Sequence, residues 1–262
     1  MSSTLDTPIP PPARGVGTTS SEKRRPAGFG WRRLQATAAA VAIASFVVPM
    51  AIEGKVEGFL VAMAAPFVIG LVLVRFLPRA AAIFLGVVSA ATLAFSAPYI
   101  TEALSHPESA TDFVPQTLFV LSMVIAAVAA VPAYREPRRT DGVAPTPRRI
   151  AIAAGVVALV ASAFSITAAT GVESVSAQAG DETVLSRDFQ FAPAKLTAEA
   201  GTISVHLTNE DSTRHTFTID GLTDLSVPPN STQRVTFEAE PGTYRFYCRP
   251  HVPGMDGTLV VQ

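Results

Sequence analysis

The sequence predicts two unlike parts in series: a bundle of five membrane-spanning α-helices, then a small all-β sandwich. Three observations lead there. Long apolar stretches recur five times between residues 34 and 170. From residue 183 onward they give way to short alternating segments bounded by turn residues. The charge divides at the same place: residues 1–171 hold nine acids and fourteen bases, whereas 172–262 hold twelve acids and six bases. The overall net charge of −1 names no partner and gives no basis for nucleic-acid binding.

Residues 1–33 are rich in Pro, Ser, Thr, Gly and Arg and lack apolar periodicity, so they are expected to form a disordered tail. Lys23, Arg24, Arg25, Arg32 and Arg33 precede the first apolar stretch. No A-x-A cleavage site follows at a suitable distance, which favours an uncleaved helix over a signal peptide. The five stretches, 34–52, 59–77, 80–100, 114–134 and 150–170, each approach the roughly 20 residues that a spanning helix needs. Pro49, Pro66, Pro98 and Pro132 fall within or near the ends of these helices. Neighbouring helices can satisfy the backbone groups that proline frees. Gly70, Gly86 and Gly155 are candidates for close helix packing.

The connecting charges orient the bundle. Taken alternately, the tail and loops carry thirteen bases against one. The positive-inside rule then places the N-terminus in the cytoplasm, and five spans put everything after Gly171 outside. The membrane stretches hold no histidine and no acidic residue at mid-span, so they offer neither a haem site nor an ion path. Met63 and Met123 read most simply as packing residues, a copper path lined by the two being the alternative.

Residues 172–182 read as a linker, and 183–262 as the β-domain. The expected strands are 183–191, 195–199, 202–208, 215–220, 233–238, 243–248 and 258–261. Side chains alternate between faces along a strand. His215 therefore shares a face with Phe217 and Ile219, and Cys248 with Tyr244 and Phe246. His206 lies opposite Ile203, Val205 and Leu207 and is expected to face solvent.

Cysteine occurs once, so no internal disulfide is possible. Cys248 is followed by His251 at C-x2-H spacing and by Met255 at H-x3-M. A thiolate, an imidazole and a thioether together suit copper better than other common metals. A second imidazole is needed, and His215 points inward from the start of its strand. Two inward residues at strand ends and two on the adjoining loop can thus meet at one pole of the sandwich.

These residues carry a resemblance. Phe191-Ala192-Pro193, the strand ending at Asn209, His215-Thr216-Phe217, Tyr247-Cys248-Arg249-Pro250-His251 and the run 254–261 are similar to the cupredoxins, the blue (type 1) copper family that includes plastocyanin, pseudoazurin, amicyanin and halocyanin. The resemblance covers about a third of the chain and implies a Greek-key sandwich. It implies one type 1 copper ion held equatorially by His215, Cys248 and His251, with Met255 axial and Asn209 as an outer partner for a ligand. The methionine lies one residue nearer the histidine than in plastocyanin-like loops and one further than in amicyanin-like loops.

The expected function is that of a membrane-anchored electron carrier on the extracytoplasmic face, serving an unidentified redox partner. No open coordination position and no acid–base pair accompany the site, which argues against an enzyme. Copper storage, sensing or delivery without electron transfer is the alternative, and a metal-free binding domain a third reading.

Overall fold

A computed structural model describes residues 29–54, 56–137 and 145–262. Most of the expected disordered tail, residues 1–28, lies outside the described residues, as do Lys55 and residues 138–144.

Among the described residues six helices come first: α1 (Trp31–Glu53), α2 (Gly58–Phe76), α3 (Pro78–Phe95), α4 (Ala97–Leu104), α5 (Ala110–Arg135) and α6 (Pro145–Thr170). Five are long and apolar enough to cross a membrane, and α4, with eight residues, is not. The expected span 80–100 is divided. Pro98 sits in the first turn of α4, where its missing N–H costs nothing, and α3 ends at Phe95.

The bundle core gathers Ala39, Ala42, Phe46, Ala64, Phe67, Leu85, Phe119 and Met123. Met123 is fully buried within it, as a packing residue would be. Gly70 and Gly86 mark tight approaches: a Cβ on Gly70 would fall 2.2 Å from Leu85 Cδ2, and one on Gly86 would fall 2.4 Å from Ala130 Cβ. Gly155 has open space around it and plays no such part. Gln35 is buried and donates to the carbonyls of Ala82 and Ala126, tying α1 to α3 and α5.

Nine strands follow: β1 (Glu182–Arg187), β2 (Gln190–Ala192), β3 (Lys195–Ala198), β4 (Gly201–Asn209), β5 (His215–Ile219), β6 (Thr223–Val227), β7 (Thr232–Ala239), β8 (Gly242–Tyr247) and β9 (Asp256–Val261). They form two sheets, ordered β2-β1-β4-β7 and β3-β9-β8-β5-β6. The pairs β1–β4 and β3–β9 are parallel, and the others antiparallel.

The inward faces meet in one core containing Val184, Phe191, Val205, Leu207, Phe217, Ile219, Phe246, Leu259 and Val261. Phe217 and Phe246 stack at 4.9 Å, and the edge of Phe191 meets Phe246 at 5.3 Å. Gly257 makes room for this stack, because a Cβ there would lie 2.3 Å from Phe246 Cζ and 2.5 Å from the Ala194 carbonyl.

Three sequence expectations need correction here. The single strand expected over 183–191 is a hairpin, β1 and β2, turning at Asp188 and Phe189, both with positive φ. Strand β6 was not foreseen; it pairs with β5 from His215↔Val227 to Ile219↔Thr223. His206 does not face solvent. The segment expected to be a linker runs along β7, where Val175 N–H bonds Thr232 O and the Gln233 side chain bonds Glu173 O. His206 lies beneath it with Nε2 2.9 Å from the Val175 carbonyl.

Candidate metal centre

β5 begins with His215, and its inward alternation carries Phe217 and Ile219 into the core, which fixes the histidine at the pole of the sandwich. β8 ends at Tyr247, so Cys248 is the first residue beyond it and remains on the same buried face as Phe246. A single 3-10 turn, Arg249–His251, then brings His251 back over Cys248.

Three backbone hydrogen bonds close the loop: His251 N–H to Cys248 O, Met255 N–H to His251 O, and Cys248 N–H to Met255 O. Gly254 sits within it at φ 148, a backbone conformation that side chains rarely adopt.

The result is a triangle of donor atoms. His215 Nδ1 is 3.2 Å from His251 Nδ1, Cys248 Sγ is 3.5 Å from His215 Nδ1, and Cys248 Sγ is 3.2 Å from His251 Nδ1. Among the described residues these three form the one group of at least three His, Cys, Asp or Glu side chains with ligand atoms within 4.8 Å of each other. His215 and Cys248 are fully buried, and His251 is partly exposed. Met255 is also buried, and it packs in the same core cluster as Cys248.

The histidine orientation follows from its neighbours. His215 Nε2 lies 2.8 Å from Asp211 Oδ2. A carboxylate only accepts, so Nε2 carries the proton and Nδ1 turns its lone pair to the triangle. Burial raises the Asp211 carboxyl, but hydrogen bonds from His215 and from the amides of Phe189 and Asp188 outweigh it, and the group ends below the usual carboxylate range. For His215, burial outweighs the Asp211 hydrogen bond and holds the ring below its ordinary value.

Burial pushes the Cys248 thiol up to about 11, against the opposing pull of the Thr216 and His251 amides. Thr216 N–H points at Cys248 Sγ from 3.3 Å. Without a metal the site therefore holds a thiol and a neutral imidazole at neutral pH.

The donor set fits a metal ion. The spacings leave room for a point about 2.0 Å from both nitrogens and about 2.3 Å from the sulfur, the usual metal–imidazole and metal–thiolate lengths. Two imidazoles and a thiolate in a trigonal set, with a thioether close by in sequence and in the core, are the donors of blue-copper electron-transfer sites. Zinc prefers four firm ligands and matches a thioether less well.

Of the four residues expected from sequence, the structure brings the ligand atoms of His215, Cys248 and His251 together and buries Met255 in the adjoining core; sequence reasoning missed the outer partners. The Asn209 side chain is engaged by its own loop. Its amide donates to the Thr213, Val227 and Pro228 carbonyls, and its oxygen accepts from Ser186 and from Asp211 N–H. It fastens the loop, and Asp211 two residues later holds the histidine.

Phe189 was also missed. Its ring meets His215 edge-on at 5.7 Å and His251 at 4.9 Å, and its left-handed backbone is held by Asp211. A positive φ at a phenylalanine is unusual, and such positions gather at functional sites; a residue type alone gives no signal of it.

A polar chain supports the other side of the loop. Arg249 N–H bonds Thr216 Oγ1, which meets Thr218 Oγ1, which donates to Asp224. Arg249 also pairs with Asp224 through its side chain. These contacts bury β5 on both faces.

Residues 151–261 match the cupredoxin-like domain family, the match beginning inside α6 and ending in β9. Similar solved structures include a reduced variant of amicyanin, 22% identical, matched over 33% of this chain and 86% of that one with a TM-score of 0.29. An oxidised amicyanin variant is 20% identical over 35% and 95% of the two chains, also at 0.29. A chain in a cryo-EM structure of a heme-copper terminal oxidase dimer is 17% identical over 45% and 99%, again at 0.29.

Proposed function

We propose, starting from a chain whose C-terminal part is a cupredoxin-like domain carried on five apolar helices, that it is a membrane-anchored one-electron carrier. The observation that carries this reading is the buried triangle of His215 Nδ1, His251 Nδ1 and Cys248 Sγ at one pole of the sandwich. In this reading those three residues hold a single type 1 copper ion equatorially and Met255 is the axial donor. When bound, copper supplies a reversible one-electron couple.

The contribution of the chain is to keep the donors still. Asp211 fixes the ring orientation of His215 and leaves Nδ1 free. Thr216 N–H stabilises negative charge on Cys248 Sγ. The hydrogen-bonded loop from Cys248 to Met255 fixes the other two donors relative to the thiolate. Donors held by the fold in this way need little movement between oxidation states, which favours electron transfer over chemistry on a bound substrate. His251 is the partly exposed donor and gives the electron its shortest way out.

The alternation of basic loops supports an N-terminus in the cytoplasm and a β-domain on the extracytoplasmic face. The partner is then a redox protein reached at that surface.

Voltammetry of the copper-loaded full chain tests the proposal against copper storage, sensing or delivery. A reversible one-electron wave, with copper retained against a competing chelator, is expected. Copper that passes readily to the chelator, with no reversible wave, would favour delivery.

A further inference from the structure

The β-domain meets the membrane region at the loop that carries the metal site, and nothing in the proposed function requires that. Resting on the reading of His215 as a ligand, we infer that the sandwich is docked on its own helices through residues 212–214, and that Glu102, Thr111 and Asp112 are positioning residues for the metal centre.

Three contacts define the junction, all from α4 or the first turn of α5. Thr111 Oγ1 donates to the Ser212 carbonyl at 2.9 Å. Thr213 Oγ1 donates to Asp112 Oδ1 at 3.3 Å. Arg214 Nη2 meets Glu102 Oε1 at 3.0 Å. Asp112 is itself oriented, because Ser109, which is fully buried, donates to its other oxygen at 2.6 Å.

These contacts alternate with the site along the chain. Asp211 holds the His215 ring, Ser212, Thr213 and Arg214 are held by the membrane region, and His215 follows directly.

Arg214 shows that the junction is built. It is a loop residue, yet only 3% of it is exposed. A buried guanidinium is costly unless paired. Among the described residues of the sandwich it meets Ser226 Oγ through Nη1 at a long 3.5 Å, and its Nε has no partner. The charge is matched by Glu102 from the other part of the molecule. If the sandwich swung away, it would leave Glu102 behind and strand this charge.

The second connection is also short and fastened. After α6 ends at Thr170, Glu173, Ser174 and Val175 are already bonded to Thr232 and Gln233 on β7. α6 is tied to the α4–α5 turn by Ser165 Oγ on the Pro107 carbonyl. The domain is thus held at two places, and the pole bearing the three donors lies against the end of the bundle formed by α4 and the start of α5. A redox partner would have to reach that pole from the side, along the membrane plane.

Hydrogen–deuterium exchange on the metal-free full chain in lipid nanodiscs tests this. The variants are Glu102→Lys and the combined Glu102→Lys, Thr111→Ala, Asp112→Asn, all in the membrane region, so that the sandwich sequence is untouched. Exchange in peptides spanning 210–216 is expected to rise by about tenfold or more in the combined variant, the scale of losing one charge-assisted hydrogen bond, with β8 and β9 unchanged. Rates within about twofold of the parent would overturn docking. Equal acceleration across β8 and β9 would overturn it too, as general loosening.

Copper spectra of the same variants carry the positioning claim. A shifted copper hyperfine splitting is expected when the loop is released. Faster exchange with an unaltered copper spectrum would overturn positioning while leaving the docking contact in place. Because exchange is read without metal, a parent protein lacking a blue site would refute the proposed function and still decide docking.

Discussion

Replacing Asp211 by alanine separates the structural account from a reading of ligands alone. The carboxylate accepts three hydrogen bonds: from His215 Nε2 at 2.8 Å, Asp188 N–H at 2.8 Å and Phe189 N–H at 3.2 Å. Hydrogen bonds to a charged group contribute about 1.5–3 kcal/mol each. The three share one carboxylate, and water can replace the exposed Asp188 contact, so their sum overstates the loss. A cost of about 2–4 kcal/mol to the β-domain is expected.

The metal is affected separately. Freed from Asp211, the His215 ring can protonate at Nδ1 or rotate, and Phe189 loses the bonds that hold it against both imidazoles. Outer partners of metal-bound histidines typically contribute 10- to 100-fold in affinity. Copper affinity by competition with a chelator should therefore fall by that range in Asp211→Ala. Asn209→Ala is the control. It should destabilise the domain, since its amide serves three carbonyls, but it should lower affinity less, because those bonds fasten the backbone of the loop whereas Asp211 bonds the His215 ring itself. Affinity for Asp211→Ala within threefold of the parent, or a larger loss in Asn209→Ala, would refute the assignment of Asp211 as the group that orients His215.

Further outcomes follow from other parts of the site. Cys248→Ser should abolish any intense visible band while leaving the fold intact by circular dichroism, since the side chains are nearly isosteric. Gly257→Ala should destabilise the β-domain by about 1–3 kcal/mol in chemical denaturation, because the new Cβ meets the Phe246 ring and the Ala194 carbonyl. Copper affinity should rise with pH by about tenfold per unit across the neutral range. Burial raises the Cys248 thiol to about 11, so binding must release that proton throughout, whereas His215, held below its ordinary value, has already lost its own. A proton release near one per copper at neutral pH, measured in weakly buffered solution, checks the sign.

The order of helices then sandwich, and the meeting of His215, Cys248 and His251, were legible in sequence for physical reasons. Bilayer thickness imposes the length of an apolar run, and strand alternation imposes which side chains point inward. His215, Phe217 and Ile219, or Phe246 and Cys248, follow from a period of two. Cys248, His251 and Met255 are close in sequence, so their proximity in space needed only a turn.

What escaped depends on contacts between distant segments. The turn at Asp188 and Phe189 uses left-handed backbone without glycine or asparagine, and the Asp211 carboxylate, 23 and 22 residues away, stabilises it by accepting from their amides. β6 carries Asp224 and Ser226 among its apolar residues, and its partial burial shows no clean alternation. His206 was placed correctly on the outer face, but the segment covering it looked like a linker. The junction of Glu102 with Arg214 joins residues 112 positions apart and leaves no local pattern.

The central claim is that His215, Cys248 and His251 converge on one copper ion in a buried trigonal set. The most direct measurement is the visible absorption and electron paramagnetic resonance spectrum of the full chain in detergent after addition of one equivalent of Cu(II). The account expects an intense thiolate-to-copper charge-transfer band and a narrow copper hyperfine splitting. A colourless protein, or an ordinary tetragonal copper spectrum that persists in Cys248→Ser, would contradict it.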